Sequence, residues 1–146
     1  MGAIKLFDTL TPVYYWNKRS KKKIKVNQGG TNSGKTYGLI EVIIDRLCRN
    51  DGWVATVTAE SWPTLERGAL RDFTNIITNS AVLKSYIPNH KLKKGPYEFY
   101  NGSKLEFVTV KDPLDARHGK RQILFANEVN AMSYETVEEM VIRSSE

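Results

Sequence analysis

The sequence is poor in the side chains that build disulfides and transition-metal sites. It has one cysteine, Cys48, and two histidines, His90 and His118, in 146 residues. One cysteine excludes an internal disulfide and a cysteine-based zinc site, and two histidines argue against a histidine-rich metal centre. The low cysteine content fits a reducing compartment.

Long apolar runs are also missing from the sequence. No stretch approaches the ~20 apolar residues of a membrane-spanning helix, and the first residues contain no apolar signal-peptide core. We therefore expect a cytoplasmic protein without a membrane partner. The hydrophobic content of 40% and the charged content of 26% are ordinary for a globular chain, and the length suits one domain with a single core.

The sequence does contain an excess of positive charge. The formal net charge is +6 at pH 7, and the densest basic run holds Lys21, Lys22, Lys23 and Lys25. This charge favours an anionic partner such as nucleic acid or a nucleotide. Solubility alone explains an excess of this size equally well, and a solvated strand flank is the alternative interpretation of the lysine run.

The order of apolar patterns predicts an α/β fold with a partly parallel sheet. Residues 1–20 show no regular pattern. Helical spacing predicts a helix that starts at Lys35 or Thr36 and stops near residues 49–52, a second over 63–78, and a third after the capping residue Ser133.

Four segments have the composition of strands. Short strands are predicted around Ile24 and Val26 and over 122–127, and a buried strand is predicted over 53–59. A hairpin is predicted within 97–110, where the Asn101-Gly102 sequence favours a type I′ turn.

A glycine-rich loop joins the first predicted strand to the first predicted helix. Its sequence fits G-x-x-x-x-G-K-[ST] in full, with the residues Gly29, Gly30, Thr31, Asn32, Ser33, Gly34, Lys35 and Thr36. Glycines let successive N–H groups point at one phosphate, and the helix start adds its positive dipole end. In such a loop Lys35 reaches the β and γ phosphates and the Thr36 hydroxyl ligates Mg²⁺. Motif and context favour a nucleotide site over a plain glycine-rich turn.

Hydrolysis needs a carboxylate near the γ phosphate, and one apolar strand ends in an acid. In QILFANEVN, Glu128 follows the predicted strand and so belongs at the carboxyl edge of the sheet, where open α/β sheets bind ligands. Asn127 stands where an aspartate usually supports the Mg²⁺ shell. Because an amide carries no negative charge, this substitution puts the metal affinity in question.

With these residues, the chain resembles the ATPase domain of the large terminase subunit of tailed phages. The resemblance spans nearly all of it and includes ESWPTLERGALRDFTNII, YEFYNGSKLEFVTVKDP and DARHGKRQILFANEVNAMSYETVEEMVIR. Many families share the glycine-rich loop, whereas the segment from the hairpin to Asn127-Glu128 is specific. An Asn-Glu ending is itself a recurring form in one branch of the family.

The resemblance implies a P-loop NTPase of the additional-strand, RecA-like class, with helices on both faces of the sheet and an inserted β-hairpin. It implies a motor that hydrolyses ATP with Mg²⁺ to package viral DNA into the procapsid in the host cytoplasm. The implied partners are double-stranded DNA, the portal protein, the small terminase subunit and further copies of the chain in a homo-oligomeric ring.

The family's site residues carry over by position. Lys35 and Thr36 take the phosphate and Mg²⁺ roles, and Glu128 is the catalytic carboxylate. Arg117 or Arg121 lies where the family often has an arginine that acts on the neighbouring subunit's site, and contact with solvent or DNA phosphate is the alternative. Many terminases also have an arginine inside the glycine-rich loop, but this chain has none there.

Three aromatic residues, Tyr14, Tyr15 and Trp16, lie where the family contacts adenine. Tyr15 is therefore a candidate nucleotide-binding residue, with a buried aromatic cluster as the alternative.

In this class of ATPase, the strand that separates the P-loop strand from the Glu128 strand comes later in sequence. This sequence ends 18 residues after Glu128. We expect residues 1–146 to be the N-terminal portion of the ATPase domain, with an incomplete sheet, no nuclease domain and little hydrolysis by itself. Another P-loop ATPase or helicase, and a non-catalytic nucleotide- or DNA-binding remnant, are the competing interpretations.

Overall fold

The computed structural model describes residues 6–7, 10–21, 34–110, 121–128 and 132–138. The helices and strands along these residues are, in chain order, α1 (Pro12–Arg19), α2 (Lys35–Arg49), β1 (Val54–Ala59), α3 (Trp62–Arg67), α4 (Ala69–Thr78), α5 (Ala81–Tyr86), β2 (Tyr97–Glu98), β3 (Lys104–Thr109) and β4 (Ile123–Ala126). Residues 134–138 are also helical. The predicted strand around Ile24 and Val26 lies outside the described residues.

The described strands form one mixed sheet in the order β2-β3-β1-β4. β1 is parallel to both of its neighbours, so that Val57 pairs with Phe107 on β3 and with Phe125 on β4. β2 is antiparallel to β3, with Tyr97 opposite Leu105. The predicted α/β fold with a partly parallel sheet is confirmed. The predicted hairpin is also present, and its second strand is a central strand of the main sheet.

Helix α2 lies across the sheet and ends at the amino edge of β1. Ile40, Ile44 and Leu47 of this helix are fully buried in the same core as Val57. Because only residues 50–53 join α2 to β1, the helix must fold back over the strand. Its 15 residues span ~22 Å and the 6 residues of β1 span ~20 Å, so the first turn of α2 lies at the carboxyl edge of the sheet.

The core contains an aromatic cluster between α4 and the hairpin. The ring of Phe73 lies 4.5 Å from that of Tyr97 and 5.7 Å from that of Phe107, centroid to centroid. Tilted and edge-to-face contacts of this kind are favourable beyond the area they bury. The Tyr97 hydroxyl donates to the Leu92 carbonyl at 2.7 Å, so this buried polar group has a partner.

The single helix predicted over 63–78 is wrong, because the chain leaves helical geometry at Gly68. Gly68 has φ −120° and ψ −101°, and it separates α3 from α4. A Cβ here would lie 3.1 Å from the Thr64 carbonyl oxygen and 3.2 Å from Asn127 Nδ2, so the site suits a glycine. The apolar residues predicted to face inward are all buried, namely Leu65, Leu70, Phe73, Ile76 and Ile77.

The prediction that residues 1–20 lack regular structure is also wrong, since α1 lies within them. Thr11 caps this helix by accepting a hydrogen bond from the Tyr14 amide at 3.2 Å. Pro12 follows in the first turn, where a missing N–H breaks no helical bond. A Thr-Pro pair is a helix-start signal, but eight residues rich in polar side chains give little apolar spacing to go with it.

The hairpin turn differs from the predicted type I′. Gly102 has φ +85°, whereas Asn101 does not have the positive φ that a type I′ turn requires. The Gly102 amide donates to the Phe99 carbonyl at 3.0 Å, and the Phe99 amide donates to the Ser103 carbonyl at 2.8 Å. The connection is therefore a three-residue loop whose last residue is left-handed.

The side chain of Asn101 explains the choice of turn. Its Nδ2 donates to the carbonyls of Leu47, Cys48 and Asn50 at 2.8, 3.3 and 3.3 Å. These carbonyls lie at the end of α2, where helical partners run out. The tip of the hairpin thus caps α2, and this tertiary contact outweighs the local preference of an Asn-Gly pair.

Two shorter helical segments follow from their capping residues. Ser133 accepts a hydrogen bond from the Thr136 amide at 3.2 Å, so the predicted start of the last helix is confirmed. Its continuation past residue 138 lies outside the described residues. α5 had no predicted counterpart, and it is capped by Ser80, whose hydroxyl accepts from the Leu83 amide at 3.2 Å.

Candidate nucleotide-binding site

The end of the glycine-rich loop forms the start of α2. Gly34 is the N-cap residue, with φ 77° and ψ 6°, and Lys35 and Thr36 form the first helical turn. The left-handed conformation favours glycine, and a Cβ built on Gly34 would meet no atom of the described residues within 4 Å. The predicted nucleotide-binding residues Gly29, Gly30, Thr31, Asn32 and Ser33 lie outside the described residues.

This helix start has the properties of an anion site. Gly34 supplies no side-chain cap to the first-turn amides of α2. These amides and the positive end of the helix dipole attract negative charge. Lys35 and Thr36 are both half-buried. The donor set therefore fits a phosphate group with a hydroxyl ligand for Mg²⁺ beside it.

The backbone conformation of Glu128 is unusual. It has φ 57°, and among the described residues it is the only one other than glycine with a positive φ. This conformation costs a non-glycine residue ~1–2 kcal/mol, and such strain is concentrated at functional sites. The side chain is exposed. Because β4 is parallel to β1, Glu128 follows β4 at the same carboxyl edge as the first turn of α2.

Both the backbone and the side chain of Asn127 make contacts. Its amide donates to the Thr58 carbonyl at 2.8 Å, which continues the pairing of β4 with β1 by one residue. Its side chain is 5% exposed and lies against Gly68 at the junction of α3 and α4. A role for Asn127 in binding Mg²⁺ stays a prediction. Within the described part of the chain, no group of three or more His, Cys, Asp or Glu side chains could hold a metal.

The structure does not bring Arg121 near Glu128. Arg121 precedes β4, next to Gln122, whose amide donates to the Val54 carbonyl at 2.9 Å at the amino edge of the sheet. The four residues of β4 span ~13 Å between this edge and the edge of Glu128. Action of Arg121 on a neighbouring subunit's site stays a prediction. Arg117 lies outside the described residues.

The aromatic residues of α1 divide into buried and exposed members. Tyr14 is 4% exposed and its ring lies 5.9 Å from that of Phe7, so it is a core residue. Tyr15 and Trp16 are 44% and 67% exposed. They line a shallow cavity of about 340 Å³ together with Leu10, Pro12 and Arg19, which we call the α1 cavity.

Sequence reasoning missed the residues of α2 that hold α1. Gly38, Glu41 and Asp45 recur at helical spacing on one face of α2, and α1 lies along that face. A Cβ on Gly38 would overlap Thr11 Oγ1 and lie 2.8 Å from Val13 Cβ. The signal in the sequence is a glycine and two acidic residues at helical spacing within the apolar part of α2.

Glu41 and Asp45 both bind residues of α1. Glu41 Oε1 accepts from the amide and the hydroxyl of Thr11 at 3.4 and 3.5 Å. One turn later, Asp45 pairs with Lys18 at 3.1 Å and with Arg49 at 2.8 Å. Burial raises the pKa of Glu41 to about 7, although the hydrogen bonds from Thr11 act in the opposite direction.

A loop rich in lysine joins α5 to β2, and its Lys94 ammonium lies 4.8 Å from the centre of the Trp62 ring. Lys91, Lys93 and Lys94 are exposed, and no ion pair reaches them within the described ranges. The loop is held by Asn89, which donates to the Pro96 carbonyl at 3.1 Å and accepts from the Glu98 amide at 2.9 Å. We call residues 90–94 the lysine loop.

Comparisons of the chain with protein-family models, with curated proteins and with solved structures give no match. The assignment of a function therefore rests on the chain's own residues and their geometry. Along the described residues, no helix has the length and apolar character needed to cross a bilayer.

Proposed function

We propose that this chain binds ATP and Mg²⁺ at the first turn of α2 and is the ATPase portion of a phage DNA-packaging motor, the large terminase subunit. Its fold would then be that of a P-loop NTPase of the additional-strand, RecA-like class. The observation that carries the proposal is the position of Glu128. A strained, exposed carboxylate follows β4 at the same sheet edge as Gly34, Lys35 and Thr36.

The first turn of α2 supplies the binding groups. Its amides and the Lys35 ammonium neutralise the phosphate charge, while the Thr36 hydroxyl provides one metal ligand. Mg²⁺, when bound, neutralises charge on the β and γ phosphates. Because α2 is anchored in the core by Ile40 and Ile44, its first-turn amides are positioned before any ligand arrives.

Glu128 supplies the reactive carboxylate. An acid at this edge can orient a water molecule toward the γ phosphate and accept its proton. The Asn127 amide donates to the Thr58 carbonyl, which fixes the residue before Glu128. The left-handed conformation of Glu128 therefore begins at a defined place. The exposed side chain is accessible to solvent and to a bound nucleotide.

The lysine loop supports double-stranded DNA as a partner. Three exposed lysines in a loop held by Asn89 and Tyr97 match the sequence-independent contacts that proteins make with phosphate backbones. Assembly into a homo-oligomeric ring, and contacts with a portal protein and a small terminase subunit, belong to the same proposal. Arg117 or Arg121 would then act on the site of the neighbouring copy.

One observation favours a second candidate, a nucleotide-binding protein that does not hydrolyse. Asn127 is neutral and buried against Gly68, and so it brings no negative charge to the Mg²⁺ shell. Under this alternative the chain binds ATP at Lys35 without turnover.

The test measures binding of a fluorescent ATP analogue, and phosphate release with and without double-stranded DNA. The variants are Lys35→Ala and, as a matched control, Lys104→Ala, an exposed lysine at the start of β3. We expect Lys35→Ala to abolish binding and turnover, and Lys104→Ala to change neither. Binding and turnover equal to wild type in Lys35→Ala would overturn the assignment. Turnover that Lys35→Ala abolishes overturns the second candidate.

A further inference from the structure

A second cavity, of about 370 Å³, lies between the start of α3, the lysine loop and β3. Its walls are formed by Trp62, by residues 94–96 and by residues 106–108. A cavity of this volume is large enough for a small organic group, and no step of the proposed nucleotide site uses it. We call it the Trp62 cavity.

One wall of the Trp62 cavity is an aromatic ring with an accessible face. Trp62 is half-buried and packs against the core, and Lys94 Nζ lies over its ring at 4.8 Å from the centre. An ammonium in this place is attracted to the face of the ring, so this face is open to a group that enters the cavity. Lys94 is exposed, and Asn89 and Tyr97 hold the lysine loop without it. The ammonium can therefore leave the ring while the loop stays folded.

Another wall of the cavity carries an oriented carboxylate. Glu106 on β3 is the register partner of Thr56 on β1, so the two side chains lie on the same face of the sheet. The hydroxyl of Thr56, which is completely buried, donates to Glu106 Oε1 at 2.5 Å. Within the described residues, no ion pair reaches Glu106, and its Oε2 has no hydrogen-bond partner. The cavity thus contains an acceptor that an N–H group of a ligand can satisfy.

The charges around the cavity indicate the class of ligand. Lys91 and Lys93 are exposed and lie within ~11 Å of Lys94 along the chain, so the rim of the cavity attracts anions. Inside the cavity, Glu106 repels them. A phosphate backbone that carries a flat, neutral group with amino hydrogens meets both conditions, and an unpaired nucleobase is such a group. An acidic peptide would instead bring its carboxylates against Glu106.

We propose that the Trp62 cavity binds an unpaired base of a single-stranded nucleic acid. The base stacks on Trp62 in place of the Lys94 ammonium, and Lys91, Lys93 and Lys94 contact the neighbouring phosphates. Glu106 accepts a hydrogen bond from an exocyclic amino group, so cytosine is preferred to thymine, whose O4 is an acceptor. This inference goes beyond the proposed function, because it requires neither ATP nor a base-paired duplex.

The test measures the affinity of the chain for oligo(dC), for oligo(dT) and for a duplex, each of about 12 nucleotides. The wild type should bind oligo(dC) about tenfold more tightly than oligo(dT), the contribution of one hydrogen bond to a charged group. Trp62→Ala should weaken oligo(dC) about tenfold through the loss of stacking and leave the duplex unchanged. Trp16→Ala changes an exposed tryptophan of α1 and is the matched control, with no effect on any of the three ligands.

A variant of Glu106 separates the hydrogen bond from the stacking. Glu106→Gln retains an oxygen for Thr56, and its amide both donates and accepts, so oligo(dC) and oligo(dT) should bind equally. Oligo(rC), measured beside oligo(dC), identifies the strand as RNA or DNA, and tight binding of either supports the cavity site.

Tryptophan fluorescence covers the case in which Trp62→Ala does not fold. Oligo(dC) should quench the emission of the wild type and of Trp16→Phe, because a stacked base lies on Trp62. In Trp62→Phe the quenching should disappear, while the affinity stays within about threefold, since a phenyl ring still stacks.

Three outcomes overturn the proposal. They are equal affinity of the wild type for oligo(dC) and oligo(dT), quenching that persists in Trp62→Phe, and a folded Trp62→Ala that loses affinity for single strand and duplex to the same extent. Oligoglutamate that quenches Trp62 as strongly as oligo(dC) does would assign the cavity to an acidic peptide and overturn it as well. ATP binding at Lys35 is measured without any oligonucleotide, so each of these results leaves the proposed nucleotide site intact.

Discussion

Asn127 packs against the backbone of Gly68, so that a Cβ on residue 68 would lie 3.2 Å from the Asn127 side-chain nitrogen. The junction between α3 and α4 thereby supports the residue that precedes Glu128. Any side chain at position 68 has to push Asn127 away, or move the end of α3.

We predict from this contact that Gly68→Val impairs hydrolysis more than binding. The larger side chain shifts Asn127 and with it Glu128, whereas the first turn of α2 is built on a different element. Phosphate release should fall at least tenfold, while the dissociation constant for an ATP analogue stays within about threefold, since misplacement of a reacting group by ~1 Å costs up to ~10² in rate. If phosphate release and affinity for the ATP analogue fell together, Gly68 would be needed for the fold and not for the position of Glu128.

Glu128 should show opposite effects on activity and stability. Asparagine tolerates the left-handed conformation better than glutamate, so Glu128→Asn should raise the free energy of unfolding by ~0.5–1 kcal/mol. Turnover should fall ~10²-fold or more with loss of the proposed general base, and ATP binding should persist. Denaturant unfolding and phosphate release measure the two effects.

Glu128→Gln separates charge from conformation at the same residue. It retains the side-chain size, so it should lose turnover in the same way without the gain in stability. Turnover at the wild-type level in either variant would leave Glu128 as a structural acid.

The stability of the fold should decrease as pH rises from about 5 to 7, because of Glu41. Its pKa is about 7 in the folded chain and 4.5 when unperturbed, so the folded state binds the proton more tightly. The free energy of unfolding is therefore highest below pH 4.5, the pKa of Glu41 in the unfolded chain. It decreases between pH 4.5 and about 7, and it is constant above pH 7 as far as Glu41 is concerned. Lys18 of α1 and Asp45 of α2, one turn further along, pair with each other at 3.1 Å.

Glu41→Gln tests this directly, since an amide does not titrate. At pH 8 the variant should be more stable than wild type by about 3 kcal/mol, and below pH 4.5 the two should converge. Urea unfolding at a series of pH values gives the curve. A free energy of unfolding that does not change between pH 4.5 and 7 in the wild type contradicts the role of Glu41. The same holds if Glu41→Gln shows the same pH dependence as the wild type.

DNA binding should depend on salt through the lysine loop. Replacement of Lys91, Lys93 and Lys94 by alanine should reduce the slope of log K against log salt concentration by up to about 3, because each phosphate contact contributes ~0.9. Binding should weaken equally for unrelated duplex sequences. Lys84→Ala, an exposed lysine on α5, is the control and should leave the slope unchanged. Beyond Lys21, the other basic run lies outside the described residues. Replacement of Lys22, Lys23 and Lys25 by alanine shows whether that run or the lysine loop binds DNA.

The sequence predicts a helix or strand correctly where its local apolar pattern is strong. α2, β1 and β4 were predicted near their observed bounds, because their apolar residues recur with a helical or strand period over a buried element. The break at Gly68 was missed since it depends on the approach of Asn127, which lies 59 residues away. The turn at Asn101 was assigned incorrectly for the same reason, because its side chain binds the end of α2 rather than its own backbone.

The candidate site could be predicted only in part. Gly34, Lys35, Thr36 and Glu128 belong to a spacing that sequence alone reveals, and the structure places them at one sheet edge. The strain at Glu128 and the contacts of Glu41 with Thr11 depend on backbone angles and on the packing of two helices. Neither leaves a local pattern in the sequence.

The contact between Asn101 and the end of α2 has a mechanical consequence. Three carbonyls of the last turn share one side-chain amide, and the same helix begins at Lys35. An axial displacement of α2 at its first turn must stretch those hydrogen bonds or carry the hairpin tip along, since a helix transmits strain along its length with little compression. The loop between β2 and β3 is therefore coupled to the distal end of α2, and a displacement of this helix at Lys35 moves the hairpin tip.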